Sequence, residues 1–283
     1  MNNSNHQLFL DNVKDHTVSH TSFQLRYDAE LDLLHTFPQP KEDDLGKYYE
    51  SDDYISHTDS KRTLFEKAYH WVKKRALQQK VKLVEKQQPK KGSLLDMGCG
   101  TGDFLQLAHQ SGWKTTGIEP NAKAKQIAAS KGASFISSTT EAASQSFDAV
   151  TLWHVLEHLP NLEAQIKELQ RLLKTDGTLL IAVPNYKSFD AVYYKEFWAA
   201  YDVPRHLWHF SKTSIQRLVE QVGMEVVSIR PMKFDSFYVS MLSEKYKTGK
   251  MNYLKAFCVG LYSNWKAGQT KEYSSHIYVI KNK

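Results

Sequence analysis

The stretch that decides the fold is LLDMGCGTGDFL at residues 94–105, an apolar run followed by three closely spaced glycines and the start of a helical pattern. Glycines allow a sharp turn and a close approach of the backbone to a ligand. A helix start offers unpaired amide N–H groups and the positive end of the helix dipole. The stretch therefore predicts a strand, a turn and a helix, and the turn is either a plain connection or an anion-binding site.

The surroundings of this stretch predict an α/β fold. From residue 93 onward, short apolar runs alternate with helical patterns, which is typical of a parallel sheet with crossover helices. We predict strands at 94–97, 114–118, 133–137, 147–152, 178–183, 225–230 and 276–281. One helix is predicted to start at Asn161 and stop at Gly177, and another to start at Ser211 and end before Gly223. The fold class is thus a doubly wound α/β sheet.

Two acidic residues near the glycines indicate which kind of ligand the turn would bind. A dinucleotide-binding GxGxxG pattern would place its third glycine where Asp103 stands, which disfavours pyrophosphate binding. Glu119 ends the second predicted strand 17 residues after Gly102, near the offset of roughly 20 residues at which an acid binds ribose hydroxyls. We interpret Glu119 as a ribose-binding residue, with an exposed strand-end acid as the alternative. An NAD-dependent oxidoreductase stays open as another function.

Four motifs together carry a resemblance to a known family. They are LLDMGCGTGDFL, TGIEP at 116–120, FDAVTLWHVLEHL at 147–159 and DGTLLIAVPN at 176–185. In this order they resemble the motifs of class I S-adenosylmethionine-dependent methyltransferases, in the branch with quinone-biosynthesis O-methyltransferases and many small-molecule and sugar methyltransferases. The resemblance covers 93–283 and implies a Rossmann-like, seven-stranded, mostly parallel sheet whose last strand, at 275–280, runs antiparallel.

This resemblance implies S-adenosylmethionine as the cofactor and S-adenosylhomocysteine as the product. The cofactor residues that it implies are Asp96, Gly98, Cys99, Gly100, Thr101 and Gly102 for the methionine end, Glu119 followed by Pro120 for the ribose, Thr139 and Thr140 for the adenine, and Trp153 and His154 beneath the sulfonium. The implied activity is methylation of a small molecule, with oxygen as the expected acceptor atom. A catalytically silent cofactor-binding module is the alternative.

The segment HVLEH at 154–158 matches the HxxEH spacing of some zinc peptidases. Two ligands four residues apart must share one helix, but His154 directly follows a predicted strand and Pro160 limits any helix after it. The two cysteines, Cys99 and Cys258, have no metal-ligand spacing. We therefore predict that the chain has no metal site.

The acceptor side of the site is predicted from segments that follow strands. Aromatic residues are dense in 184–210, and ligands of open α/β sheets bind beyond the carboxyl ends of strands. This segment is predicted to form a lid or a pocket wall, although half or more of its aromatics could be ordinary packing. The amphipathic stretch 236–265 is a second lid or substrate-side candidate. Candidate general bases are His154, Asp202 and His206.

Residues 1–59 are predicted to be an irregular leader, because turn signals are frequent and no long periodic segment occurs. The run 18–54 resembles the front of bacterial methyltransferases that carry a small cysteine-based zinc ribbon, yet no cysteine stands here. That resemblance implies a lost metal and a leader held by packing alone. Tyr49, Tyr54 or His57 would then close over the cofactor.

The formal net charge is +6, and the basic excess lies in residues 60–92. We predict a basic amphipathic helix and linker there, followed by the methyltransferase domain at 93–283. A solvated helix face accounts for the lysines, and no RNA-binding signature with stacking aromatics accompanies them. The sequence therefore disfavours nucleic acid as a partner and favours a small-molecule methyl acceptor, with an RNA-binding module as the minority hypothesis.

Location follows from what the sequence does not contain. No apolar run reaches the roughly 18 residues that a membrane-spanning helix needs. The polar opening at residues 1–7 lacks the apolar stretch of a signal peptide. We expect a cytoplasmic protein without a membrane span, and no pattern predicts its oligomeric state.

Overall fold

The computed structural model describes residues 6–49 and 64–283, which form two sheets with helices between their strands. In chain order the strands and α-helices of the described residues are β1 Gln7–Lys14, β2 Ser22–Asp28, β3 Leu33–Phe37, α1 Leu64–Gln87, β4 Ser93–Met97, α2 Asp103–Gln110, β5 Lys114–Ile118, α3 Ala122–Ser130, β6 Ser134–Phe135, β7 Phe147–Trp153, α4 Leu162–Leu172, β8 Leu173–Pro184, α5 Phe189–Tyr194, β9 Trp208–His209, α6 Lys212–Glu220, β10 Met224–Pro231, α7 Asp235–Thr248, α8 Tyr253–Thr270 and β11 Ser275–Asn282.

The large sheet has seven strands in the order β10-β11-β8-β7-β4-β5-β6. The strands from β8 to β6 pair in parallel, whereas β11 runs antiparallel to both β8 and β10. The predicted seven-stranded, mostly parallel sheet with a reversed last strand is therefore confirmed. The chain leaves β4 toward β5 on one side and returns with β7 on the other, so the carboxyl end of β4 is the switch point where such sheets bind ligands.

The large sheet carries a hydrophobic core on each face. Successive strand residues point to opposite faces, so Leu95 joins the cluster under α4 and α6 whereas Leu94 joins the cluster under α1 and α2. Helices thus cover both faces, which is the doubly wound arrangement. Burial of these fully enclosed leucines contributes about 2 kcal/mol each.

The structure confirms the predicted start of one helix and contradicts the predicted end of the other. Ser211 caps α6 by accepting a hydrogen bond from the N–H of Ser214 at 3.1 Å, as the sequence predicts. Asn161 stands at the cap of α4, but its side chain makes no capping hydrogen bond. The predicted stop at Gly177 is wrong, because α4 ends at Leu172 and the next residue already pairs with Phe147 in the sheet.

The irregular leader predicted for 1–59 is wrong between residues 7 and 37. There β1, β2 and β3 form an antiparallel sheet, which β9 completes. Packing alone does not hold it. The buried carboxylate of Asp15 accepts hydrogen bonds from the N–H groups of Thr17, Val18 and Ser19 at 2.7–3.2 Å, and so fixes the turn after β1. Tyr54 and His57 lie outside the described residues.

The aromatic segment 184–210 is mainly a packing element. Four of its rings are buried in a third hydrophobic cluster together with residues of β1 and β2, namely Tyr186, Tyr194, Trp198 and Tyr201. Trp208 and Phe210 are buried in the core of the large sheet. These six side chains join the two sheets, which corrects the predicted lid for them, because a ring enclosed in a core is not available to a substrate.

The basic segment forms α1, whose lysines have several different environments. Lys73 lies 2.8 Å from the carboxylate of Asp103, and Lys80 points toward the carboxyl edge of the large sheet, over the Trp153 ring. Part of the basic excess is therefore paired or partly buried.

None of the helices in the described ranges has the length and apolar character needed to cross a bilayer.

Candidate functional site

The glycine turn joins β4 to α2 at the carboxyl edge of the large sheet. Gly98, Gly100 and Gly102 have φ angles of 64°, 53° and 75°, which favour glycine. A Cβ on Gly98 would lie 2.6 Å from the Val155 side chain, and one on Gly102 would lie 2.6 Å from that of Ala128. At Gly100 a Cβ would have nothing within 4 Å. The turn is thus closed toward the protein at its ends and open in its middle.

Asp96 lies at the end of β4, directly before this turn. Its side chain is buried, and Oδ1 accepts a hydrogen bond of 2.6 Å from the hydroxyl of Thr151. Burial raises the pKa of Asp96 to about 7, because the Thr151 hydrogen bond and the charge of Lys80 offset only part of the lost solvation. A carboxylate in this state is stabilised by any further cation that approaches it.

Glu119 directly follows β5 and lies beside the turn. Its Oε2 accepts a hydrogen bond from the N–H of Gly100, and its Oε1 accepts one from the N–H of Asn121, both at 2.8 Å. The acid is therefore anchored against the open middle of the turn. Asp103, at the position of the third glycine of a dinucleotide motif, pairs with Lys73 and Lys131. The charge of Asp103 is therefore compensated by two lysines of the protein itself.

Four further predicted cofactor residues lie around the same edge. Thr139 and Thr140 form a short 3-10 turn after β6, and Pro120 is exposed behind Glu119. The carbonyl of Thr101 accepts a hydrogen bond from Lys131 at 2.8 Å. Nothing in their geometry conflicts with the predicted adenine and ribose contacts, which stay predictions.

Cys99, the remaining loop residue, is buried. Burial raises the pKa of its thiol to about 12, and the nearby carboxylates of Asp96 and Glu119 add to the rise. The side chain is a neutral thiol at physiological pH, so its place in the turn is one of packing.

Trp153 and Lys80 meet at the end of β7. The indole packs edge-to-face on Phe104 with ring centroids 5.3 Å apart, and Nζ of Lys80 lies 4.5 Å from the centroid of the Trp153 ring. Burial lowers the pKa of Lys80, while Asp235 and Asp96 act in the opposite direction. Sequence reasoning missed Lys80. The available signal was its place in the apolar stripe of α1, between Leu77, Val81 and Val84, where a lysine is unexpected.

His154 binds two carboxylates. Nε2 lies 3.2 Å from Asp235, and Nδ1 lies 3.3 Å from Glu157. Burial opposes protonation, but the two carboxylates outweigh it and raise the pKa of His154 to about 9. The raised pKa favours the imidazolium form at neutral pH, whereas a general base must be neutral to accept a proton. The assignment of His154 as a general base stays a prediction. Asp235 was not predicted, since it comes from α7, about eighty residues further along the chain.

The zinc-peptidase arrangement is absent at HVLEH. His154 has a φ of 59°, in the left-handed region, and the segment 156–158 that follows is a single 3-10 turn. The imidazole of His158 packs at a right angle on that of His206, with centroids 4.5 Å apart, rather than beside His154. The two histidines of the motif therefore do not share one helical face.

A different group of ligand-type side chains does come together. One ligand atom from each of Glu157, His158 and His206 lies within 4.8 Å of the other two. Nδ1 of His158 donates to the carbonyl of Arg205 at 3.1 Å, and Nδ1 of His206 to that of Ala200 at 2.9 Å. In the neutral form of each ring, Nε2 therefore carries a lone pair. The group could hold a metal ion, and the predicted absence of metal stays a prediction that metal analysis of the purified protein tests.

The other two base candidates have structural contacts. Asp202 forms a two-pronged ion pair with Arg205, whose guanidinium also contacts Asp15 of the small sheet at 3.4 Å. This pair lowers the pKa of Asp202 despite its burial. His206 is buried and lies 3.9 Å from Asp202. The aromatic segment is held to the N-terminal sheet by Arg205 and by the 2.6 Å hydrogen bond that the Thr36 hydroxyl donates to the carbonyl of His206. Tyr49 reaches this region as well, with its hydroxyl 2.9 Å from Nδ1 of His158.

The fold and the site define a Rossmann-like α/β protein with an open glycine turn at the switch point of a parallel sheet. The profile of a family described as a methyltransferase domain matches residues 68–229, more than half of the chain. The chain therefore belongs to this family, the class I S-adenosylmethionine-dependent methyltransferases.

Comparison with individual proteins gives relatives of the same class. The chain is 26% identical over 159 residues to the ubiquinone biosynthesis O-methyltransferase of Azoarcus sp. (strain BH72), which covers 50% of this chain and 68% of that protein. It is 31% identical over 106 residues to the enzyme of that name from Actinobacillus pleuropneumoniae serotype 5b (strain L20), covering 32% and 45%. The chain thus spans about half the length of the latter relative.

Solved structures share the fold at low sequence identity. Magnesium protoporphyrin IX methyltransferase from Synechocystis PCC 6803 superposes with a TM-score of 0.58 at 14% identity, over 86% of this chain and all of that one. A SAM-dependent methyltransferase from Archaeoglobus fulgidus gives 0.52 at 17% identity, over 79% and 100%. Both likenesses concern the fold.

Proposed function

We propose that this protein methylates an oxygen atom of a small molecule, with S-adenosylmethionine as the methyl donor. The observation that carries the proposal is the convergence of three features at one sheet edge: the buried acid Asp96, the open glycine turn and the anchored acid Glu119. They offer, in that order, a partner for an ammonium group, amide donors with free space and an acceptor for ribose hydroxyls.

The residues of this edge fit the cofactor chemically. Asp96 has a carboxyl whose charge is not yet compensated, as its raised pKa indicates. The space at Gly100 would accept a ligand atom without a clash. The indole N–H of Trp153 is buried and has no hydrogen-bond partner among the described residues. When bound, S-adenosylmethionine supplies an electrophilic methyl group attached to a sulfonium.

The chain itself must position the acceptor and exclude water, because methyl transfer is an in-line displacement. We assign His154 to positioning: with its two ring nitrogens facing Glu157 and Asp235, it ties the end of β7 to the start of α7 beside the site. Of the other two predicted bases, Asp202 is engaged by Arg205, whereas His206 uses Nδ1 for the carbonyl of Ala200 and leaves Nε2 without a hydrogen bond among the described residues. The preference for oxygen is supported by the named activity of the ubiquinone-biosynthesis relatives.

Calorimetric titration with S-adenosylhomocysteine, with NAD as a second ligand, tests the proposal. Saturable binding of S-adenosylhomocysteine is expected. Glu119→Ala should weaken it by about a hundredfold, because hydrogen bonds to a charged group contribute about 1.5 kcal/mol each. Glu225→Ala, which removes an exposed acid on β10, is the matched control and should bind as the parent does. Binding of NAD alone would move the protein to the oxidoreductases.

If the cofactor binds, a second assay addresses the acceptor. S-adenosylhomocysteine release is followed against phenols, catechols, carboxylic acids and amines of small size. Turnover confined to hydroxyl acceptors supports the oxygen assignment, and turnover with amines alone contradicts it. His206→Ala separates a base from a structural residue: unchanged turnover with intact cofactor binding rules out His206 as the base.

A further inference from the structure

Helix α8 buries its small residues and exposes its large apolar residues, which is the reverse of an ordinary surface helix. Its buried residues are small: Ala256, Val259, Gly260, Ser263 and Ala267. Its large apolar residues are exposed instead: Leu254 at 76%, Phe257 at 55%, Leu261 at 53%, Tyr262 at 47% and Trp265 at 59%. The exposed residues follow the spacing i, i+3, i+7, i+8 and i+11, so they form one continuous stripe. We call this stripe the α8 face.

The small residues serve a close contact with α7. The Oγ of Ser236 donates to the carbonyl of Gly260 at 3.1 Å, and a Cβ on Gly260 would lie 3.0 Å from Cα of Phe237. On its packed side α7 likewise buries Ser236, Ser240 and Ser243. Small residues that bring two helix backbones together are the packing mode of helices in an apolar environment. By contrast α6 buries Ile215, Leu218 and Val219 in the usual way.

The charges around the α8 face have one sign. Every exposed charged residue between 233 and 271 is a lysine: Lys233, Lys245, Lys247, Lys250, Lys266 and Lys271. The acids of this segment are turned inward, because Glu244 is buried and pairs with Lys255 at 3.0 Å, and Asp235 pairs with His154. An apolar stripe rimmed by lysines is complementary to a surface of acyl chains under anionic headgroups.

We propose that the α7–α8 hairpin lies on the surface of an anionic lipid bilayer, with the α8 face in the headgroup–acyl boundary and the lysines on lipid phosphates. A second copy of the chain fits the face less well. In a twofold dimer the same patch meets itself, so the lysine rims would repel each other. The hairpin begins at Asp235, which contacts His154, so the bound surface would adjoin the site. Membrane attachment itself does not depend on the proposed methyl transfer.

Sedimentation of the full chain with lipid vesicles tests the proposal. Binding is expected to vesicles of phosphatidylcholine mixed with phosphatidylglycerol, and much less to phosphatidylcholine alone. The triple variant Leu254→Ser/Phe257→Ser/Trp265→Ser should lose at least about tenfold in affinity, since it removes three large apolar side chains that would be buried in the bilayer. Val192→Ser, an exposed apolar residue at 64% on α5, is the control and should bind normally.

Charge reversal and fluorescence locate the contact. Lys247→Glu, Lys250→Glu and Lys266→Glu should each weaken binding to the anionic vesicles by about fivefold or more, with no effect on the weak binding to neutral ones. A blue shift of tryptophan emission on vesicle addition should disappear in Trp265→Phe. S-adenosylhomocysteine titration of every variant shows that it is folded and keeps the cofactor result independent of the lipid result.

Two outcomes would overturn the proposal. One is the absence of binding to anionic vesicles by a chain that still binds S-adenosylhomocysteine. The other is a dimer in sedimentation velocity that the Leu254→Ser/Phe257→Ser/Trp265→Ser variant dissociates, together with no vesicle binding, which would assign the α8 face to self-association.

Discussion

Two buried aspartates, one in each sheet, have opposite pKa shifts. Burial would raise the pKa of Asp15 in the small sheet, but hydrogen bonds from Ser19 and Thr17 and the charge of Arg205 lower it below the ordinary value. Asp96 in the large sheet has one hydrogen-bond donor, Thr151, among the described residues, and burial raises its pKa to about 7. The chain supplies the partners of the first acid, whereas the second is left with room for a partner from outside.

This difference separates structural from ligand-binding acids. A carboxylate whose oxygens are saturated by the protein stabilises the fold and gains little from a ligand. A carboxylate left under-compensated costs folding free energy, and that cost is recovered when a cation binds. Asp32 belongs with Asp15, since it accepts hydrogen bonds from Tyr27, Lys187 and Ser211.

Asp15→Asn should cost about 3 kcal/mol of unfolding free energy. The amide would face the N–H of Ser19 with a donor instead of an acceptor, and Arg205 would lose one of its two carboxylates. Because the folded pKa of Asp15 is lowered, its contribution is complete above the pKa of the unfolded chain and is lost as pH falls toward the lowered folded value. Urea unfolding at neutral pH measures the effect.

The matched control for Asp15 is Asp11→Asn on β1. Asp11 is exposed and accepts a weak hydrogen bond of 3.3 Å from Gln24, so the change should cost less than about 0.5 kcal/mol. Equal destabilisation by the two variants would mean that the Asp15 turn contributes nothing special to the small sheet.

Asp96 should make cofactor affinity depend on pH. Below about pH 7 its carboxyl is protonated in the free protein and cannot pair with an ammonium group. The affinity for S-adenosylhomocysteine should therefore fall by about tenfold for each pH unit below that value and level off above it. Titrations at several pH values, repeated with Asp96→Asn, measure this. The same slope in the variant would show that another group controls binding.

The sequence predicted the parts of the site that local chain geometry creates. Positive φ angles at the glycines and the strand-end position of Glu119 are properties of residues 94–120 alone. Lys80 and Asp235 reach the site from helices distant in sequence, so only tertiary packing brings them together. The periodicity of the sequence does not predict that Lys80 and Asp235 meet at the site. Its one indication is that Lys80 occupies a position in the apolar stripe of α1.

The small sheet and the aromatic segment were misjudged for related physical reasons. The strands β1 to β3 are short and partly polar, and the turn at Asp15 is specified by side-chain hydrogen bonds rather than by glycine or proline. An aromatic-rich segment has the same composition whether its rings line a pocket or fill a core. Only the existence of the small sheet, against which Tyr194 and Trp198 pack, distinguishes the two.

His154 offers a third, intermediate case, an imidazole between two acids. In the parent protein its ring proton resonances should titrate near pH 9. Asp235→Asn removes one carboxylate and should lower that midpoint by about one unit or more. Nuclear magnetic resonance of the imidazole protons, assigned with His154→Gln, follows both. A midpoint near the ordinary value of 6.5 in the parent would contradict the two-carboxylate arrangement.

Ser211 gives the most specific effect, the difference between two helix caps. Its hydroxyl accepts the capping hydrogen bond of α6 from Ser214 and donates to Oδ2 of Asp32 at 2.7 Å. Ser211→Ala should therefore cost about 2 kcal/mol, whereas Ser188→Ala, which removes the cap of α5 at Ala191, should cost about 1 kcal/mol. The difference between the two costs measures what the Ser211 hydroxyl contributes as one of several hydrogen-bond donors to the carboxylate of Asp32. If both variants cost the same, the other partners of Asp32 compensate, and saturation rather than any single hydrogen bond distinguishes the acids of the small sheet from Asp96.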